Sequence, residues 1–272
     1  MFDENGLYQI TIGIHSEAPG TFAVTRKITL LANDDQILLE NIIDKKDVRT
    51  KEGVYFSFPF AANLLKTTID VGYGTMTFLK DQLPGSNMDF ISPHRWLDAS
   101  DSNKGIQLMM IEPFMLAPDS MVDERLVIEG SFKKWKDKGN KTATWFSYVM
   151  NNYWHTNFKI DQDSIAVFHY ALRPHDALEN NEQEKAAMEF SQPIISFRVK
   201  VNVNIPENLF SLSNDKLVVT SITPQAEGFM VRIFNPENSV QTTSLQWNDF
   251  KPTKRIAPLK FVPFEVKDLW VK

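Results

Sequence analysis

Apolar and polar residues alternate along most of this chain, and a period of two is the signature of a half-buried β-strand. The alternation runs through Leu7–Ile14, Phe22–Leu31, Ile37–Ile43 and Val54–Phe60. Further strands are predicted over Leu65–Val71, Gly105–Glu112, Arg125–Glu129, Phe146–Met150 and Ile165–Leu172. Beyond these come Ile194–Val203, Leu217–Pro224, Gly228–Phe234, Thr243–Trp247 and Val262–Val271. The intervals carry turn chemistry: Ala18-Pro19-Gly20, Asn33-Asp34-Asp35, Leu83-Pro84-Gly85, Gly139-Asn140 and Asn235-Pro236-Glu237-Asn238. One stretch reads as helix. Ala177–Phe190 is rich in Glu, Gln, Lys, Ala and Met, with Asp176 as the expected N-cap and Pro193 just past the end. Many strands and one short helix predict an all-β chain built as a large sandwich of antiparallel sheets.

The pattern is interrupted at Asn204–Asn214, where Ile205-Pro206-Glu207-Asn208 and Ser211-Leu212-Ser213-Asn214 fall. This divides the chain into residues 1–210, a large β-domain, and residues 211–272, a small appended β-module. Composition narrows the partners. The 272 residues carry a net charge of −5, so no basic field exists to attract nucleic acid. There is no cysteine, which excludes disulfides, thiolate metal sites and thiol nucleophiles. No apolar run approaches the roughly eighteen residues of a spanning helix, so no membrane span is expected. Met1-Phe2-Asp3-Glu4-Asn5-Gly6 lacks the basic and apolar regions of a signal peptide and passes almost at once into a strand, as expected of a piece of a longer protein. The charged run Lys133–Lys141 reads as a solvated hairpin tip.

Familiar catalytic patterns are missing from the sequence. The five histidines, His15, His94, His155, His169 and His175, form no H-x-x-x-H or H-E-x-x-H pair. There is no G-x-S-x-G elbow, and Gly72-Tyr73-Gly74 is a lone G-x-G that reads as a bend. Asp98, Asp101 and Glu112 are acids near turns or strand ends, where capping is the commoner role. What stands out is a set of polar–aromatic clusters. The densest is Asn151-Asn152-Tyr153-Trp154-His155-Thr156-Asn157; the others are Ser92–Asp98 and Tyr170–His175. Amides beside Trp can bond sugar hydroxyls and stack on a sugar's apolar face, and the same groups can equally tie long loops in place.

Ordered landmarks across nearly the whole chain resemble the C-terminal β-region of glycoside hydrolase family 38, the retaining α-mannosidases. They are Val24–Leu30, Ile43–Lys46, Tyr55–Phe60, His94–Asp101, Met150–Phe158, Tyr170–His175, Val231–Asn235 and Leu259–Val266, with the N-N-x-W-x-T-N run the strongest. The resemblance implies a galactose-mutarotase-like β-supersandwich followed by a small β-sandwich near Lys216–Lys272. It also implies that the zinc ion and the aspartate nucleophile belong to an N-terminal barrel outside this chain, so this chain has no cofactor of its own and is not expected to hydrolyse glycosides. The expected partners are α-mannosides, through the parent enzyme, and the barrel itself. Asn151, Asn152, Trp154, Thr156 and Asn157, with Arg95, Arg173 and His175, are the candidates to edge that active site or clamp the domains together; an internal loop network is the competing role. An autonomous carbohydrate-binding sandwich is the alternative function.

Overall fold

A computed structural model describes residues 2–6, 8–60, 66–112, 115–118, 144–152, 159, 161–196, 198, 208–248, 252–253 and 256–272. Nineteen strands and one helix are found among them. The first twelve strands are β1 (Phe2–Asn5), β2 (Gln9–Ser16), β3 (Thr21–Leu31), β4 (Ile37–Lys45), β5 (Gly53–Pro59), β6 (Lys66–Asp70), β7 (Thr75–Thr77), β8 (Trp96–Ser100), β9 (Lys104–Met110), β10 (Met115–Pro118), β11 (Thr144–Asn151) and β12 (Ser164–Asp176). Helix α1 (Asn180–Ser191) follows. Then come β13 (Phe210–Leu212), β14 (Val218–Gln225), β15 (Gly228–Phe234), β16 (Gln241–Thr243), β17 (Leu245–Trp247), β18 (Leu259–Phe261) and β19 (Val266–Val271). The strand pairs are antiparallel, and the all-β class expected from the alternation is what the structure has.

Two compact units divide the chain: residues 1–72 with 76–177, and residues 73–75 with 178–272. In the first unit a nine-stranded sheet runs in the order β1-β2-β3-β4-β12-β9-β8-β6-β7 and a three-stranded sheet in the order β10-β11-β5. Alternating residues of the larger sheet, Leu97, Ala99, Leu108, Met110, Phe168 and Tyr170, meet Phe56, Phe58, Leu116, Trp145 and Met150 of the smaller in one apolar core. Aromatic rings interlock there, with Phe58 and Tyr170 centroids 4.9 Å apart and Phe78 edge-on to Trp145 at 5.3 Å. One polar bond lies within this layer: Ser147 Oγ and Tyr170 Oη are 2.9 Å apart and buried.

β11 carries a bulge between Tyr148 and Met150. The bulge reverses the parity of the strand. Trp145 faces the core before it and Met150 faces the core after it, although they are five positions apart. Tyr148 stands on the other side, stacked between Tyr55 and Phe90.

In the second unit β14-β15-β19 form a three-stranded sheet, with the pairs β13-β17 and β16-β18 beside it. Leu217, Val231, Ile233, Phe261 and Val271 form its core. The Asn235–Asn238 turn is held by Asn235, which is fully buried; its Nδ2 donates to Ser239 O and Val262 O at 2.9 and 2.8 Å. Helix α1 belongs to this unit. It starts three residues later than predicted, because Asp176 is still paired to Lys104 as the last residue of β12. Glu179 is the N-cap instead, its N–H donating to Glu182 Oε2 at 3.0 Å.

The polar–aromatic cluster Ser92–Asp98 runs into a strand that the alternation did not predict, β8. Trp96, Leu97, Asp98 and Ala99 are all buried, so β8 is hidden on both faces and shows no alternation. Short strands β1, β7, β10, β13 and β18 also escape the period reading, each offering only three or four residues. The strand predicted at Arg125–Glu129 and the charged run Lys133–Lys141 lie outside the described residues, and of Ile194–Val203 only 194–196 and 198 are described, outside any strand.

Trp145 is completely buried, yet its indole N–H has no partner among the described residues. Its contribution is therefore packing. Trp145→Ala is expected to cost about 3–5 kcal/mol in denaturant unfolding of the first unit, and Trp145→Phe, which removes an unpaired donor together with the volume, less than half as much.

Candidate functional site

The Asn151–Asn157 cluster begins where β11 leaves its sheet. Asn151 is exposed and paired with Gly53, the first residue of β5. Asn152 is buried, and its carboxamide is spent on the loop before β5. Nδ2 donates to Val48 O at 2.7 Å and to Thr50 O at 2.8 Å, while Oδ1 accepts from Glu52 N–H at 2.5 Å. The backbone adds Asn152 N–H to Glu52 O at 3.2 Å. An amide has the donors and the acceptor to close this set, which neither a carboxylate nor a hydroxyl has. Trp154, Thr156 and Asn157, with His155, lie outside the described residues.

Charges gather around the same loop. Lys45, at the end of β4, is buried and paired with Glu52; its Nζ also donates to Lys46 O at 3.0 Å. A charged amine is tolerated there because both partners are fixed. Gly20, at φ +72, leaves the space for this pair: a Cβ would stand 2.6 Å from Glu52 Oε2. Arg49 reaches Asp161 at 2.7 Å, and that hydrogen bond holds the Asp161 carboxyl below its usual range, assisted by Lys159. Lys45, Glu52 and Asp161 were not visible as site residues in the sequence; 100 residues separate Glu52 from Asn152, and only the β5–β11 pairing joins them.

A second constellation crosses β8, β9 and β12 on the face of the large sheet opposite the core. His175 Nε2 lies 2.7 Å from Asp98 Oδ1, with both side chains no more than 4% exposed. Ser100 Oγ donates to Asp98 Oδ2 at 2.6 Å. The other ring nitrogen, Nδ1, bonds Asp176 O, which can only accept. With one nitrogen obliged to donate to a carbonyl and the other facing a carboxylate, the surroundings favour the imidazolium form. Burial opposes that charge, but the Asp98 hydrogen bond and field, together with the Asp176 carbonyl, outweigh it, and the His175 pKa is raised above its ordinary value. Gly105, the register partner of both Ser100 and His175, makes the fit: a Cβ there would stand 2.6 Å from His175 Cε1 and from Ser100 Cβ. The order Ser–Asp–His is that of a buried ion pair with a supporting hydroxyl. A nucleophilic serine would instead bond the histidine.

Arg173 lies on this same face two residues before His175, and its Nε donates to Asp35 Oδ2 at 2.8 Å. Arg95 is at the other end of β8, where its N–H meets Asp70 Oδ2 at 3.1 Å; Gly72 N–H takes Asp70 Oδ1 at 2.7 Å. The acids considered for catalysis are separated. Asp98 serves His175, Glu112 Oε1 is 3.2 Å from His169 Nδ1, and Asp101 caps the β8–β9 turn by accepting from Asn103 and Lys104 N–H. Among the described residues no group of three or more His, Asp or Glu side chains is placed to hold a metal ion. No described helix is long and apolar enough to cross a membrane.

No protein-family model and no curated protein sequence matches this chain. Solved structures do. A glycosyl hydrolase family 38 protein from Enterococcus faecalis superposes with a TM-score of 0.66 at 14% identity, covering 97% of this chain and 34% of its own. An alpha-mannosidase from Enterococcus faecalis V583 does so with a TM-score of 0.63 at 14% identity, covering 97% and 33%. The likeness is one of fold, and this chain spans about a third of the length of either structure.

Two outcomes test the geometry. Asn152→Ala strands two carbonyls and an N–H, and is expected to lower unfolding free energy by about 3 kcal/mol, with Asn152→Asp no better because a carboxylate would face Val48 O and Thr50 O. The raised His175 pKa means that its contribution is complete below the ordinary value of 6.5 and is lost as pH rises through the folded-state value. Thermal scans should therefore show Tm falling as pH is raised above 6.5, and His175→Gln should remove that component of the fall.

Proposed function

We propose that this chain is the C-terminal β-region of an α-mannosidase-like retaining glycoside hydrolase, a support domain with no catalytic centre of its own. The observation that carries the reading is the superposition of 97% of the chain on one third of glycosyl hydrolase family 38 structures. The ordered landmarks from Val24 to Val266 support it independently. The zinc ion and the nucleophile of such an enzyme would be supplied by a barrel outside this chain, and α-mannosides would be bound there.

Within that enzyme the Asn151–Asn157 segment is the part of this chain aimed at the catalytic domain. Asn152 anchors the start of the segment to the loop at 48–52. Trp154, Thr156 and Asn157 are the contact residues, and Asn151 is exposed beside them in sequence. Arg95, Arg173 and His175 serve the frame through Asp70, Asp35 and Asp98.

The test is hydrolysis of an aryl α-mannoside by the 272-residue chain and by the longest polypeptide its reading frame encodes. The chain alone is expected to be inactive and the longer polypeptide active. In the active protein, Trp154→Ala should lower kcat/KM by about tenfold if the segment edges the substrate cleft. Hydrolysis by the chain alone, or a longer frame without activity, would overturn the reading.

A further inference from the structure

Strand β2 is turned the opposite way from a strand with one wet face. Thr11 and Gly13 are buried, while Ile10 and Ile12 stand 48% and 40% exposed. Burial of the apolar positions and exposure of the polar ones is the ordinary arrangement. The neighbouring strands extend the inversion. Ile10 lies opposite Leu30 of β3, and Leu30 opposite Ile37 of β4; Ile12 lies opposite Ile28, and Ile28 opposite Leu39. Residues opposite one another across a ladder share a face, so these six aliphatic side chains form two adjacent rows with no charge among them. Leu30 is as open as Ile10, at 48%, and only at Leu39 does the block meet the core of the first unit. No residue of β2 takes part in that core.

Single apolar residues at a surface need no cover, but a contiguous aliphatic block on an open sheet face marks a surface that another body occupies. The reading of this chain as the C-terminal β-region of a hydrolase supplies that body, and the inference rests on that reading. The chain matches about a third of the family 38 structures, so in such an enzyme the larger part of the polypeptide lies outside it. That part would join the chain at β1. β1 pairs with β2 from Phe2 opposite Gly13 to Asn5 opposite Ile10, which places the connection at the sheet edge beside the block. A domain tethered there is held at high effective concentration against the isoleucines, an advantage a second copy of the chain does not have. We propose that the face formed by Ile10, Ile12 and Leu30 is the seat of the domain that precedes β1 in the longer polypeptide. That domain meets it with an uncharged, apolar surface.

The chain has no cysteine, so one introduced thiol reports on one position. Ile12→Cys and Leu30→Cys, made separately, are labelled with a maleimide in the 272-residue chain and in the longest polypeptide its reading frame encodes, and the labelled peptide is quantified by mass spectrometry. Both positions should react fast in the chain alone and about tenfold or more slowly in the longer polypeptide, where reaction waits for the domains to part. Ile165→Cys is the control. Ile165 is 67% exposed and lies next to Ala166, which packs on the core, so it faces the other side of the same sheet and should react at one rate in both proteins. Equal rates at Ile12→Cys in the two proteins, or a slowing shared by Ile165→Cys, overturn the proposal even where the longer protein hydrolyses the aryl α-mannoside. Slow labelling confined to Ile12→Cys and Leu30→Cys in a longer protein without activity supports the seat and overturns the hydrolase reading. Slow labelling in the chain alone, with sedimentation as a dimer, gives the face to a second copy and overturns the proposal, as does a reading frame that adds no domain before β1.

Discussion

A carboxylate and an imidazole can be buried in the face of a sheet only if each neutralises the other, and the pairing of Asp98 with His175 joins the strands at the centre of this fold. β8 and β12 are not neighbours; β9 lies between them. The two side chains meet across β9 because Gly105 has no side chain to separate them. Ser100 and the Asp176 carbonyl complete the bonding. Removing one member would leave an uncompensated buried charge, a larger loss than the pair's net contribution. The central strands are thus held on one face by aromatic packing and on the other by one neutralised pair, and the sheet can be buried on both sides.

The apolar layer has a different role: it sets where chain segments leave the sheets. Trp145, Phe58 and Tyr170 fix β11 and β5 against the large sheet. The β11 bulge then changes the parity, so that Asn151 is left in solvent and Asn152 is turned into the loop at 48–52. Lys45 and Glu52 anchor that loop from the side of β4. A single extra residue in one strand therefore decides which of two adjacent asparagines is structural and which is presented.

These features are compatible with the support role proposed for the chain. Its ionisable groups are used in pairs: Asp98 with His175, Asp161 with Arg49, Glu52 with Lys45, Asp268 with Arg232. Each of these acids sits beside a cation, and the hydrogen bonds from Arg49 and Arg232 hold the Asp161 and Asp268 carboxyls below their usual range. These pairs among the described residues, and a fold shared with one third of larger glycosyl hydrolase family 38 structures, are what the proposed support role rests on.

The β-class was legible in the sequence wherever a strand has one wet face. Phe22–Leu31, Ile37–Ile43 and Gly228–Phe234 alternate because one side meets the core and the other meets solvent, and the structure has strands there. The turns at Ala18-Pro19-Gly20 and Asn235–Asn238 were legible for the same local reason: their conformations depend on residues within the turn. β8 was not legible, because burial on both faces erases the alternation. The Asp176 cap failed because pairing with Lys104, 72 residues earlier, held that residue in a strand against its helical preference. The two asparagines were visible as a motif, but their division of labour depends on a bulge and on a loop a hundred residues away. The pairing of His175 with Asp98 was likewise decided only in three dimensions. Local pattern determines what a segment can become, and only the register between distant strands determines which polar groups meet.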